Sequence, residues 1–333
     1  MKIVIVTDAW FPQVNGVVTT LDCLKKELEK KSYQVDIIHP SLFKTSSFSV
    51  YPEISLAMNP WKVKNYLSED MDYLHIATEG PLGLFARNFA IQNNIQFTTA
   101  IHTKFPEYLK KILLIPLSLT YGYLRWFHGE AHKTLVNTNS QIEELSSIGF
   151  KNLAKWSRAI DRNIFYPRKK SSNNGYLLYV GRISKEKNLE DFLNLDTSNQ
   201  KIVVGSGPML NEYKKKYRTV EFVGPKFENE LAQYYSDASV FVFPSKTDTY
   251  GIVMIEALAC GTPVAAYPVT GPKDIVINEI NGYLHHDLLT AVSFAENINS
   301  KFCEESIESL SWGKVANTFL STLIPTKRKF ITT

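Results

Sequence analysis

The chain has 333 residues, 44% of them hydrophobic, with 37 basic against 33 acidic side chains and a formal net charge of +4. That length exceeds what one hydrophobic core ordinarily supports, so two domains are expected, and the apolar content excludes a disordered chain. The small positive excess suits phosphate ligands or an anionic membrane surface but is too diffuse for nucleic acid, and three cysteines without disulfide or metal spacing (Cys23, Cys260, Cys303) read as buried cytoplasmic thiols.

In chain order, the opening MKIVIVTDAW reads as a strand and not as a signal peptide, because Asp8 interrupts the apolar run early. No stretch reaches the ~20 apolar residues of a membrane span. Short apolar runs then alternate with amphipathic segments of helix length, the mark of parallel α/β domains covered on both faces. In the first half the expected strands are Lys2 to Val6, Gln34 to Ile38, Asp72 to Ile76, Gln96 to Ile101 and Thr134 to Val136. The polar run PRKKSSNNG reads as a linker, after which the pattern restarts with Tyr176 to Val180, Lys201 to Val204, Val220 to Val223, Val240 to Phe243 and Pro263 to Ala266. The expected division is a first lobe over 1–166, a linker over 167–175, a second lobe over 176–310, and a C-terminal helix and tail over 311–333. In that last segment Trp312, Val315, Phe319 and Leu323 recur at helical spacing and fit either lobe.

In open α/β sheets ligands bind beyond the carboxyl ends of the strands, so the residues that follow each strand carry the functional reading. After the first strand, Asn15 and Gly16 open a helix whose N-terminus suits a phosphate, with a plain turn as the alternative. The spaced glycines of a dinucleotide fingerprint are absent there, which disfavours a nicotinamide dehydrogenase. His102 follows the fourth strand, placed to touch a sugar hydroxyl or to serve as an ordinary structural histidine. In the second half, YVGRISKEKN sets Arg182 and Lys187 five apart after a strand, two cations able to neutralise a diphosphate or simply to face solvent. The turn VVGSGP permits close approach of a ligand and has an equally good packing explanation.

The densest signal is SKTDTYGIVMIEALACGTPVAAYPVTGP, Ser245 to Pro272. It places Asp248 on the loop after a buried strand and Glu256 more than a turn into the helix that begins near Gly251. Without a Cβ at Gly251, the backbone N–H groups of Tyr250, Gly251, Ile252 and Val253 are expected to lie open to a diphosphate. Glu256 is then placed for the two hydroxyls of a ribose and Asp248 for a hexose. The small residues of EALACGTPV let this helix pack closely on the next strand.

With FPQVNGVVTTL, TEGPLG, HTKFPEY and WSRAIDRNIFYP in the first half and YVGRISKEKN, FVGP and PSKTDTYGIVMIEALACGTPV in the second, the chain resembles the family 4 glycosyltransferases, retaining enzymes of GT-B fold, over nearly its whole length. The resemblance implies an α/β architecture of two Rossmann-like, doubly wound parallel-sheet lobes facing across a cleft. By it Arg182 and Lys187 hold the diphosphate, Glu256 the ribose, and Asp248 and His102 the transferred sugar. Gly16 lets the first lobe close on the phosphates, and Pro225 and Lys226 flank the base through their backbone. Three positions depart from the pattern: Asp248 stands where Glu is usual, Ala159 where Gly is common and Ser206 where Asp is frequent.

The implied chemistry is transfer of a hexose from a nucleoside diphosphate to an acceptor with retained configuration and no metal or other cofactor. Asp70 and Asp72 form a pair that marks manganese in another glycosyltransferase fold, but here they precede a strand on its entry side. UDP-hexose is the first choice of donor and GDP-mannose the second. The segment from Glu107 to Lys133, with Lys110, Lys111, Arg125 and Lys133 among aliphatic and aromatic residues, reads either as an interfacial element or as two core helices. Similarity of YLRWFH and TDTYG to bacterial lipid-glycosylating relatives points to a lipid acceptor such as diacylglycerol, and so to a cytoplasmic protein peripheral to an anionic membrane, with a carbohydrate acceptor as the alternative. A GT-B sugar-nucleotide epimerase and a non-catalytic sugar-nucleotide sensor remain as readings from other classes.

Overall fold

Alternating strands and helices build two units in the computed structural model, which describes residues 1–326 apart from 14, 49–50, 68–69, 108–109, 111–113 and 172–174. One unit comprises Met1–Ser157 with Trp312–Thr333, the other Arg158–Ser311.

The first unit carries a six-stranded sheet made of β1 (Lys2–Val6), β2 (Gln34–Ile38), β5 (Tyr73–Ile76), β6 (Thr98–Ala100), β7 (Thr134–Val136) and β8 (Leu153–Lys155), in the order β2-β1-β5-β6-β7-β8 and parallel throughout. Its central strands are apolar on both faces because helices cover both, as Ile3, Val4, Ile5 and Val6 show by being almost wholly buried. A two-stranded antiparallel ribbon, β3 (Thr45–Phe48) with β4 (Tyr51–Ala57), is an addition that the alternation of apolar runs did not announce. The C-terminal helix Trp312–Thr322 settles on this unit. The Trp156 indole N–H donates to the Val315 carbonyl at 3.2 Å, and the Phe319 ring lies 5.3 Å from Trp156 and 5.0 Å from His75.

The second unit repeats the plan with β9 (Leu177–Val180), β10 (Lys201–Val204), β11 (Glu221–Gly224), β12 (Val240–Phe243), β13 (Val264–Ala266) and β14 (Gly282–Leu284), in the order β11-β10-β9-β12-β13-β14, again all parallel. The chain enters this unit at Arg158, ahead of the boundary expected at 166. The cause is visible in the hydrogen bonds of the stretch that follows. Tyr250 donates its hydroxyl to the Arg158 carbonyl at 3.4 Å, Arg162 pairs with Glu304 at 2.9 Å, and the amides of Arg168 and Ser171 donate to Ser236 Oγ at 3.2 Å and Asp237 Oδ1 at 2.7 Å. The run expected as a linker over 167–175 is thus polar at its start because it lies along the end of the helix Glu228–Asp237.

Each sheet has one point where strand order reverses, between β1 and β5 in the first and between β9 and β12 in the second. Loops leaving the carboxyl ends of strands on either side of such a point diverge and leave a crevice.

Candidate functional site

At the reversal in the second sheet, the loop after β9 carries Arg182 and Lys187 and the loop after β12 carries Asp248. The structure brings two of these into contact: Lys187 Nζ donates to Asp248 Oδ1 at 2.5 Å. Burial pulls the Asp248 pKa upward, but the Lys187 charge and hydrogen bond, with the Ser245 hydroxyl, outweigh it and hold the carboxyl below its ordinary value. The second oxygen, Oδ2, is buried and accepts no hydrogen bond. A buried carboxylate oxygen without a donor is costly, on the order of 1–3 kcal/mol.

Behind Asp248 the helix Ile252–Ala259 begins at Gly251, which has φ +85° and no side chain to close the first turn. The glycine also has a packing role there. A Cβ would meet Met254 Cε at 2.8 Å and Phe243 Cζ at 2.9 Å, so its absence serves the core as well as the left-handed backbone. Ile252 and Val253 pack partly on the core of the unit, and Tyr250 is buried with its hydroxyl on Arg158. Glu256, one turn further on, accepts from the buried Tyr235 hydroxyl at 2.8 Å, and burial, only partly offset by that bond, raises its pKa to about 7.

The cation Arg182 is held through its backbone, since the Tyr179 hydroxyl donates to its carbonyl at 2.8 Å. The glycine turn after β10 proves to be a packing device: a Cβ on Gly205 would lie 2.0 Å from the Gly181 carbonyl oxygen, and one on Gly207 would lie 2.4 Å from that of Ile183. Pro225 is exposed just after β11, and Lys226 pairs with Glu230 at 2.5 Å, one helical turn on. Cys260 and Cys303 are buried, and burial pushes both thiols up to about 12.

Two candidates, Gly16 and His102, belong to the first unit. Gly16 is the first residue of the helix Gly16–Lys30, with open space where a Cβ would stand. Asn15 Oδ1 accepts from the N–H groups of Val17 and Val18 at 3.0 Å each, so this helix start already has its cap. His102 follows β6 and packs edge-on against Trp156 at 6.0 Å. The reversal point of the first sheet holds a carboxylate that the reading of the sequence passed over, Asp8. It accepts from the Leu82 amide at 2.8 Å, the Gly83 amide at 3.3 Å and the Thr78 hydroxyl at 2.8 Å, and burial raises its pKa against these bonds. It thereby fills the N-terminus of the helix Pro81–Gln92 and accounts for Gly80, whose Cβ would stand 2.5 Å from the carboxylate carbon. The signal was present in a carboxylate two residues past the end of a strand.

Asp70 and Asp72 are engaged by Lys2 at the entry side of the first sheet, through Nζ at 3.1 Å and the backbone amide at 2.7 Å. Among the described residues no group of three or more His, Cys, Asp or Glu side chains is arranged to hold a metal ion, and no helix is long and apolar enough to cross a membrane. In the segment from Glu107 to Lys133 the helix Leu117–Gly129 buries Thr120, Leu124, Phe127 and His128 and exposes Leu119 and Trp126. Lys111 lies outside the described residues.

Comparison with known proteins adds to this geometry. The family model described as Glycosyltransferase Family 4 matches residues 14–163, and that described as Glycosyl transferases group 1 matches residues 161–316. An alpha-monoglucosyldiacylglycerol synthase of Streptococcus pneumoniae is 29% identical over 88% of this chain and 77% of its own length. A GDP-mannose-dependent alpha-mannosyltransferase of Mycobacterium tuberculosis is 24% identical over 96% and 95%. Among solved structures, a sucrose-phosphate synthase from Thermosynechococcus elongatus superposes with a TM-score of 0.80 at 20% identity, covering 96% of this chain and 97% of that one.

Proposed function

Since the chain belongs to the family 4 glycosyltransferases and has the GT-B fold, we propose that it transfers a hexose from a nucleoside diphosphate, UDP first, to a hydroxyl of a membrane lipid such as diacylglycerol, retaining the anomeric configuration and needing no metal. The observation that carries the reading is the Lys187–Asp248 pair with its unsatisfied Oδ2. One oxygen is neutralised by the cation, and the other is left as an acceptor for a sugar hydroxyl beside the start of the helix Ile252–Ala259.

In this scheme the bond between the anomeric carbon and the diphosphate oxygen breaks as the acceptor oxygen bonds to the same carbon on the same face, and the acceptor proton passes to the leaving diphosphate. Lys187 and Arg182 stabilise the charge that develops on that diphosphate, together with the backbone N–H groups from Tyr250 to Val253. Asp248 Oδ2 orients the hexose, Glu256 accepts from the ribose and the Pro225–Lys226 backbone flanks the base. The lipid acceptor draws on the name of the streptococcal relative and on Leu119 and Trp126 exposed beside Arg125, a composition suited to a bilayer surface. A second reading, GDP-mannose as donor, is favoured by the mycobacterial relative, which matches over nearly the whole of both chains.

The test is incubation of the purified protein with labelled UDP-glucose, UDP-galactose and GDP-mannose, each with diacylglycerol in anionic vesicles and with excess chelator. An alpha-linked hexosyl lipid formed from a UDP-sugar in chelator is the expected product. Transfer only from GDP-mannose selects the second reading, and donor consumption without any glycosylated product contradicts both. Vesicle binding should weaken with salt and on charge reversal at Lys110 and Lys133, because such contacts act only within a Debye length of the surface.

A further inference from the structure

We propose that Asn188 and Asp191 are positioning residues that fix Lys187 against Asp248, an inference that rests on the donor-site reading of that pair. Lys187 ends a short 3₁₀ turn, Lys185–Lys187, and both of its neighbours in sequence are hydrogen-bonded to the loop that carries Asp248. On one side, the Glu186 carbonyl accepts from the Thr247 hydroxyl at 3.2 Å. On the other, Asn188 Nδ2 donates to the Pro244 carbonyl at 3.2 Å and to Asp191 Oδ2 at 2.5 Å.

Asn188 adopts φ +55° and ψ 33°, the left-handed region that costs most residues free energy and that glycine enters without strain. A glycine would have sufficed to turn the chain there, so the side chain has a task that the turn does not set. That task is to join three strand ends. Asp191 Oδ2, besides accepting from Asn188, accepts from the Tyr267 hydroxyl at 2.6 Å, just beyond β13, and lies 3.4 Å from Lys246 Nζ, which rests 4.0 Å from the centre of the Tyr267 ring. The loops after β9, β12 and β13 therefore meet on one carboxylate oxygen. Burial would raise the Asp191 pKa, but Tyr267, Asn188 and Lys246 outweigh it and keep the group ionised.

Lysine is a flexible point charge, and a displacement of about 1 Å in a group that stabilises a transition state can cost roughly 100-fold in rate. With Glu186 and Asn188 both anchored, the Lys187 backbone cannot swing away from the Asp248 loop. The substitution Asn188→Gly is the sharpest probe, because glycine keeps the left-handed turn while losing the amide. Asp191→Asn is the second variant, since it keeps the shape and removes the charge.

The experiment is a double-mutant cycle read in UDP affinity by calorimetry, with GDP alongside, and in transfer rate. Asn188→Gly is expected to weaken UDP binding and to slow transfer by about five- to tenfold, with the melting temperature near that of the native chain. In a Lys187→Ala background the same substitution should change UDP affinity by less than about twofold, because the group it positions is gone. Asp191→Asn should follow the same pattern. Equal effects of Asn188→Gly in both backgrounds, or native UDP binding and transfer in Asn188→Gly and Asp191→Asn, would overturn the proposal while leaving Lys187 in the site. Native behaviour of Lys187→Ala itself, or no binding of either diphosphate by the unmodified chain, would instead sink the donor-site reading and the positioning role with it.

Discussion

Asp8 and Asp248 each lie on a loop leaving a sheet beside the point where strand order reverses, Asp8 after β1 and Asp248 after β12, and they are treated in opposite ways. Asp8 spends its oxygens on two backbone amides and a threonine hydroxyl, so its site is closed by the protein itself. Asp248 gives one oxygen to Lys187 and keeps the other buried without a donor. Burial prevails at Asp8 and raises its pKa, whereas the cation prevails at Asp248 and lowers it. Position in the fold alone therefore does not separate a structural carboxylate from a candidate for chemistry. What separates them is whether the hydrogen-bonding capacity is already used.

The largest expected effect sharpens this contrast on the functional side. Lys187→Ala should lower hexose transfer by two or more orders of magnitude, because charge groups aimed at a leaving diphosphate contribute ~3–4 kcal/mol, and should also lower the melting temperature, because it leaves Asp248 without its cation. A steady-state assay alongside a thermal melt checks both halves. On the structural side, Asp8→Ala strands two buried amides and a hydroxyl and should destabilise the protein by roughly 2–4 kcal/mol, read from denaturant midpoints. Native stability in Asp8→Ala would break the comparison.

A third carboxylate gives a smaller and pH-dependent effect. Glu256 has its folded pKa raised to about 7 by burial, above its value in the unfolded chain, so between those two values the folded state holds more protons than the unfolded. Stability from this group is present at low pH, falls as pH rises through that window and stays low above about 7. Glu256→Gln should accordingly stabilise the protein at pH 8 by about 1–3 kcal/mol, discounted for its partial exposure, with the gain vanishing near pH 4. The same substitution should weaken UDP binding by about tenfold if the ribose depends on that carboxylate. Denaturant titrations at the two pH values and a calorimetric titration check the pair.

Much of the fold was legible in the sequence because buried parallel strands are short apolar runs, and each of the ten expected runs holds a strand, with ends moved by a residue or two where Asp72, Gln96 or Pro263 falls outside the ladder. The strands that escaped notice are those with the weakest apolar signature: β8, three residues at a sheet edge, β14, which opens on Gly282, and the ribbon opened by the polar Thr45–Phe48. Strand spacing placed Lys187 and Asp248 each on a loop after a strand, but sequence carried no sign that the two touch, because they are 61 positions apart. Asn188, Asp191 and Tyr267 were invisible for the same reason. Their roles depend on contacts between loops distant in sequence, while each residue alone is ordinary. The division of the chain was displaced because a polar run on a helix surface and a polar linker have the same composition.

The most direct measurement concerns Asp248→Asn, assayed for hexose transfer and for UDP binding on the same preparation. The substitution replaces one carboxylate oxygen by an NH₂ group, which cannot accept, and removes the charge that Lys187 pairs with. The account predicts transfer reduced by about ten- to two-hundredfold with UDP affinity equal to or tighter than that of the unmodified protein. Transfer at the native rate would contradict it, because the unsatisfied oxygen of Asp248 would then have no part in holding the hexose.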